Sequence, residues 1–157
     1  MFERSPDGLV TLLLAMLVAS PAAAKPPPSV RQAATQFFTD LIAGKKASCR
    51  KQLMSHAEVS ALTTKKISKK EYDASAKQFL ERRIAEFAEG RKKHGKVTLS
   101  RVEIRDVRIL TPENSKLKRR SVHVVVVPFI KTNKGERGGW PFFFIQQGDS
   151  WKFMWRK

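Results

Sequence analysis

A single cysteine, Cys49, in 157 residues excludes an internal disulfide and any thiolate zinc cluster, so stability has to come from a packed core. Histidine is equally sparse. His56, His94 and His123 are scattered without ligand spacing, and no glycine-rich phosphate loop or nucleophile motif occurs, so no metal and no cofactor is expected. Acidic residues are few: 14 Asp and Glu stand against 31 Lys and Arg, a net charge of +17. Long apolar runs are also missing, since the stretch from Leu9 to Val18 falls short of the ~20 residues a membrane-crossing helix needs.

That stretch reads instead as a secretory leader over residues 1–24. Arg4 precedes it and the small residues Pro21 to Ala24 supply a cleavage site near Ala24, which predicts an exported protein, periplasmic or secreted. Glu3 and Asp7 leave the start without its usual positive charge. Cleavage removes one cation and two anions, so the mature segment carries +18, a charge that favours anionic partners. Lys25 to Pro28 forms a stiff proline tether ahead of one domain over residues 29–157.

The domain begins with helical periodicity. Ser29 is placed to cap a helix whose Val30, Ala34, Phe37 and Leu41 share one stripe and which ends near Gly44. A lysine-rich loop follows, with Lys45, Lys46, Arg50 and Lys51. Ser55 and Glu58 have capping-box spacing for a short helix, and Ser68 and Glu71 for a long one that presents Tyr72, Ala76, Phe79, Leu80, Ile84 and Phe87 on one face and stops at Gly90 or Gly95.

From Lys96 onward the period changes to two, an α+β order. The first strand slips phase: Val97 and Leu99 share a parity, Val102 and Ile104 take the opposite one, and Val107 and Ile109 return to the first. Only bulges let one face bury all six, and each bulge bends the strand. The second strand, Ser121 to Ile130, is apolar on both faces and therefore central. Turn residues from Asn133 to Gly139 lead to a strand from Trp140 to Gln147, and Gly148 to Ser150 turns into a last strand with Trp151, Phe153 and Trp155 on one face. The sum is N-terminal helices packed on a curved antiparallel sheet of about four strands.

This order, with the terminal hairpin from Phe142 to Phe153, resembles the nuclear transport factor 2-like, or ketosteroid-isomerase-like, cone fold. The resemblance spans roughly Ser29 to the end and implies a long helix over a concave sheet with a pocket at the open end. It also implies the possibility of homodimers through the sheet, and no single activity, because one fold hosts many functions.

An isomerase-like site in that family uses a tyrosine and carboxylates in an apolar pocket; Tyr72, Glu103, Asp106 and His123 are the available material, with Tyr72, Asp106 and His123 the candidate pocket residues. None falls at a recognised motif position, so no catalytic residue is assigned. Arg91 to Lys93 complement a helix C-terminus and need no ligand. Lys116, Lys118, Arg119 and Arg120 flank the valine-rich strand, where charges discourage aggregation as readily as they bind. Lys65, Lys66, Lys69 and Lys70 crowd the start of the long helix against its dipole, a local violation that suggests an anion site. These eight cations are the candidate anion-binding residues. The expected function is a non-catalytic binding module meeting polyanionic envelope material, an anionic membrane surface or a small ligand; a pocket enzyme and a non-specific nucleic-acid binder are the alternatives.

Overall fold

Val30, Ala34, Phe37, Phe38 and Leu41 recur at helical spacing along α1 (Pro28–Ile42) and are fully buried, so this helix lies with one stripe against the sheet. The computed structural model of the protein describes residues 28–155; the expected leader and the tether before Pro28 lie outside the described residues. Pro28 is already helical, so Ser29 lies in the first turn rather than capping it, and proline at that position gives up no hydrogen bond.

The segment read as a lysine-rich loop is a helix, α2 (Lys46–Gln52). It has no apolar stripe to betray it, since Cys49 alone is buried. Polar contacts hold it instead. Asp40, 1% exposed, accepts hydrogen bonds from Ser48 Oγ at 2.6 Å and Gln52 Nε2 at 3.0 Å. Arg50 pairs with Asp73 at 2.9 Å. Helices α3 (His56–Leu62) and α4 (Lys69–His94) both open with the expected capping boxes, at Ser55 with Glu58 and at Ser68 with Glu71. Gly90 stays helical, and Gly95, at φ 68°, makes the stop.

The sheet has five strands rather than four: β1 (Thr98–Leu110), β2 (Ser121–Thr132), β3 (Gly135–Gly138), β4 (Phe142–Gln147) and β5 (Ser150–Met154), ordered β1-β2-β4-β5 with β3 also on β2. The short β3 occupies part of the connection read as turn. β4 starts at Phe142, leaving Trp140 in an irregular link before Pro141. The antiparallel register of β1 against β2 shifts twice, between Leu99 and Arg101 and between Ile104 and Asp106. Ser100 and Arg105 are therefore the extra residues that the phase slips demanded. Because of them Leu99, Val102, Ile104, Val107 and Ile109 all oppose one row of β2: Ile130, Pro128, Val126, Val124 and Val122.

Aromatic side chains fill the space between helices and sheet. Phe37 stacks on Phe153 with centroids 4.8 Å apart, and Phe38 meets Phe142 edge-on at 4.9 Å. Phe144 and Trp151 join them, each 6% exposed or less. Burying each such ring contributes roughly 1.5–3 kcal/mol, so the terminal hairpin belongs to the core, as its sequence predicts. The concavity under the helices is thus closed by its own side chains, and the space available to a ligand lies at the margin.

Candidate functional site

Two loops meet at that margin. α3 ends on Leu62, fully buried, and Leu117, 8% exposed, anchors the loop between β1 and β2; between them Thr63 and Leu117 form an antiparallel bridge. Lys118 N donates to Leu62 O at 2.7 Å and Thr64 N to Lys116 O at 3.0 Å, which fixes the two backbones side by side. Two lysine clusters separate in sequence are joined by this pairing. Lys65, Lys66 and Lys118 line one groove of about 480 Å³ with Ser60, Thr64 and Ser68. Lys118 Nζ also donates to Ser60 O at 2.7 Å, tying its head to the end of α3.

The other predicted cations divide. Lys69 pairs with Asp73 at 2.6 Å, a carboxyl held below its ordinary range by that lysine and by Arg50. Lys70 and Lys116 are exposed beside the groove. Arg119 and Arg120 line a separate depression of about 290 Å³ with Gln146 and Gly148, where Arg119 donates to Gln147 Oε1 at 3.3 Å. Among the described residues, no ion pair involves Lys65, Lys66, Lys70, Lys116, Lys118, Arg119 or Arg120. The start of α4 is itself occupied: Ser68 N donates to Glu71 Oε2 at 3.2 Å and Glu71 N to Ser68 Oγ at 3.2 Å. Three of the predicted cations thus converge on the groove, with the Glu71 carboxylate held at its edge by Ser68.

An apolar cleft of about 250 Å³ adjoins the groove, walled by Val59, Ile67, Tyr72, Met154 and Trp155, with Lys65 at its rim. The Tyr72 hydroxyl donates to Met54 O at 2.6 Å, and Trp155 Nε1 donates to Ser75 Oγ at 3.2 Å. The two rings lie 4.9 Å apart. Burial pushes the Tyr72 phenol well above its ordinary value, so it stays neutral and committed to Met54.

Tyr72, Asp106 and His123 do not line a common cavity. Asp106 is on the exposed face of β1, bonded to Arg108 at 2.6 Å, and His123 is buried on β2 opposite Arg108 and Ile145. Glu103 sits between Arg101 and Arg105, at 3.0 and 2.8 Å. None of the residues lining the cleft is a carboxylate. Among the described residues there is also no cluster of His, Cys, Asp or Glu able to hold a metal ion, and no helix long and apolar enough to cross a membrane. Sequence reasoning missed Ser75, Met154 and the aperture beside Trp155, because the three cleft-forming segments have no spacing in common.

The chain matches no protein-family model and no curated protein. Among solved structures it is similar to a Campylobacter jejuni protein provisionally named an NTF2-like transpeptidase, with 17% identity over 78% of this chain and 94% of that one and a TM-score of 0.47. A chain from Catenulispora acidiphila aligns at 13% identity over 90% of this chain and 89% of that one, with a TM-score of 0.38. Likenesses of this degree pass no activity to the present chain. Its own architecture, helices laid on a bent antiparallel sheet, is the fold class that the sequence predicts, with α1 rather than the long α4 making the main helix–sheet contact.

Proposed function

We propose that this chain is an exported, non-catalytic binding module that engages anionic envelope material, specifically the phosphate-bearing surface of a membrane, through the groove of Lys65, Lys66 and Lys118. The observation that carries the reading is the convergence of these lysines from two loops, with no carboxylate among the residues lining their groove. Some cations elsewhere are paired, as Lys46 is with Glu81 and Arg101 with Glu103, and others, Arg119 and Arg120 among them, are in no ion pair; what sets the groove apart is that three lysines line one space. The net charge of +17 adds long-range attraction to any polyanion and supplies no selectivity by itself.

The test is co-sedimentation with vesicles of anionic and of neutral lipid. Binding to the anionic vesicles is expected to fall steeply as the screening length shrinks from about 10 Å at roughly 0.1 M salt to about 3 Å at roughly 1 M. Lys65→Gln and Lys66→Gln should each weaken it about fivefold, the equivalent of about 1 kcal/mol per surface lysine. Lys92→Gln and Lys93→Gln remove the same charge at the far end of α4, where both already pair with Glu89, and serve as the control. Equal losses from the two pairs, or stronger retention on duplex DNA than on vesicles at matched salt, would exclude the groove as a lipid-facing site.

A further inference from the structure

We infer that the groove and the cleft are two halves of one site, and that its ligand is a single-chain anionic amphiphile whose head lies among Lys65, Lys66 and Lys118 and whose alkyl tail lies in the cleft walled by Val59, Ile67, Tyr72, Met154 and Trp155. The inference deepens the proposed membrane-facing role and rests on the same lysines. Thr63, Lys65 and Ile67 line both spaces, so the two adjoin along these three residues. Lys65 stands at the junction.

Charge and polarity change together across that junction. On the groove side the lining is lysine, serine and threonine, with Ile67 at the junction. On the cleft side it is Val59, Ile67, Met154 and two aromatic rings whose polar atoms are already satisfied, Tyr72 by Met54 O and Trp155 by Ser75 Oγ. A polar ligand would find few partners there, the Thr63 and Ser75 hydroxyls apart from Lys65 at the rim, and most of its buried groups would lose their hydration without return. An alkyl segment asks for none. Size points the same way. About 250 Å³ is the volume of about eight waters at ~30 Å³ each, below the ~300–1,000 Å³ that encloses a drug-sized ligand. The cleft therefore has room to bury part of one alkyl chain.

The experiment is a titration of the full chain with hexyl, octyl, decyl and dodecyl phosphate below their micelle-forming concentrations, read by calorimetry and by Trp emission. Affinity is expected to rise roughly fourfold per methylene, as burial of each CH₂ in an apolar site requires, and then to level off once the cleft is full. Lys65→Gln should weaken the whole series by one factor and leave the slope unchanged. Ser75→Phe should abolish the slope by filling the cleft; should that variant not fold, the wild-type slope and the Lys65→Gln offset still decide. A flat series, a slope that never levels, or octanol binding as tightly as octyl phosphate overturns the inference. Inorganic polyphosphate, titrated in parallel, separates it from the reading it rests on: polyphosphate bound at Lys65 with a flat alkyl series sinks the cleft alone, whereas a levelling alkyl slope indifferent to Lys65→Gln sinks the cationic groove.

Discussion

Thr63 and Leu117 face each other in an isolated antiparallel bridge, and that pairing helps bring the lysines of two distant loops to one groove. Leu117 is 8% exposed and belongs to a cluster with Leu62, Val59 and Met54. Leu117→Ala should cost about 2 kcal/mol or more, the lower end of what truncating a buried leucine costs. It should also release the loop, so anionic-vesicle binding weakens although no lysine has been touched. Thermal unfolding and vesicle binding on the same variant check both. A loss of stability with binding unchanged would show that the bridge does not organise the groove.

Tyr72 gives the fold an alkaline limit. Burial raises its phenol above the unfolded value of about 10, so the neutral form is the one the fold favours. The corresponding stabilisation is fully present below about pH 10 and is lost as the pH climbs toward the folded-state value. Tyr72→Phe should lose roughly 0.5–1.5 kcal/mol near neutral pH with the hydrogen bond to Met54 O, and should lessen the decline above pH ~10. Urea unfolding at a series of pH values measures both effects.

The two bulges make an unusual deletion experiment possible. Arg105 is the residue without an opposite number, so removing it leaves Ile104, Val107 and Ile109 in uninterrupted alternation on the core face. Arg108 is in regular register with His123, and its deletion would turn Ile109 away from Val122. Cooperative unfolding should survive deletion of Arg105 and be lost on deletion of Arg108. Calorimetric scans of the two variants distinguish them.

Cys49 should be inert in the native protein. It is fully buried, and burial together with the nearby Asp40 charge pushes its thiol up to about 11, leaving almost no thiolate near neutrality. Labelling by a thiol reagent should therefore proceed only as fast as the chain opens, and denaturant should accelerate it by orders of magnitude. Rapid stoichiometric labelling without denaturant would contradict the burial.

Much of this architecture was legible because its signals are local. Two capping boxes announce α3 and α4, and the parity of Leu99, Val102, Ile104 and Val107 locates both bulges. What was not legible depends on partners far along the chain. α2 has no stripe because its support is polar and comes from Asp40 and Asp73, and β3 is four exposed residues that become a strand only against β2. The site was half legible for the same reason. Lysine density marked both loops, but their meeting depends on Leu62 and Leu117, and the cleft needs Val59, Ser75 and Trp155 brought together from three elements.

β1 is an outer strand, thirteen residues long, and such an edge ordinarily offers itself as a template for a neighbouring molecule. Here the row of backbone groups is broken at Ser100 and Arg105 and hedged by the charged pairs Arg101 with Glu103 and Arg108 with Asp106. Gly139 N donates to Pro128 O at 2.8 Å, so Pro128 directs its carbonyl away from β1; Val102, opposite it, then turns its own backbone groups outward, and Arg31 Nη1 donates to that carbonyl at 2.8 Å. The irregularities that bend the sheet around α1 thus also deny a second chain an unbroken ladder to zip onto, a safeguard against fibril growth in a protein whose central strand carries five valines.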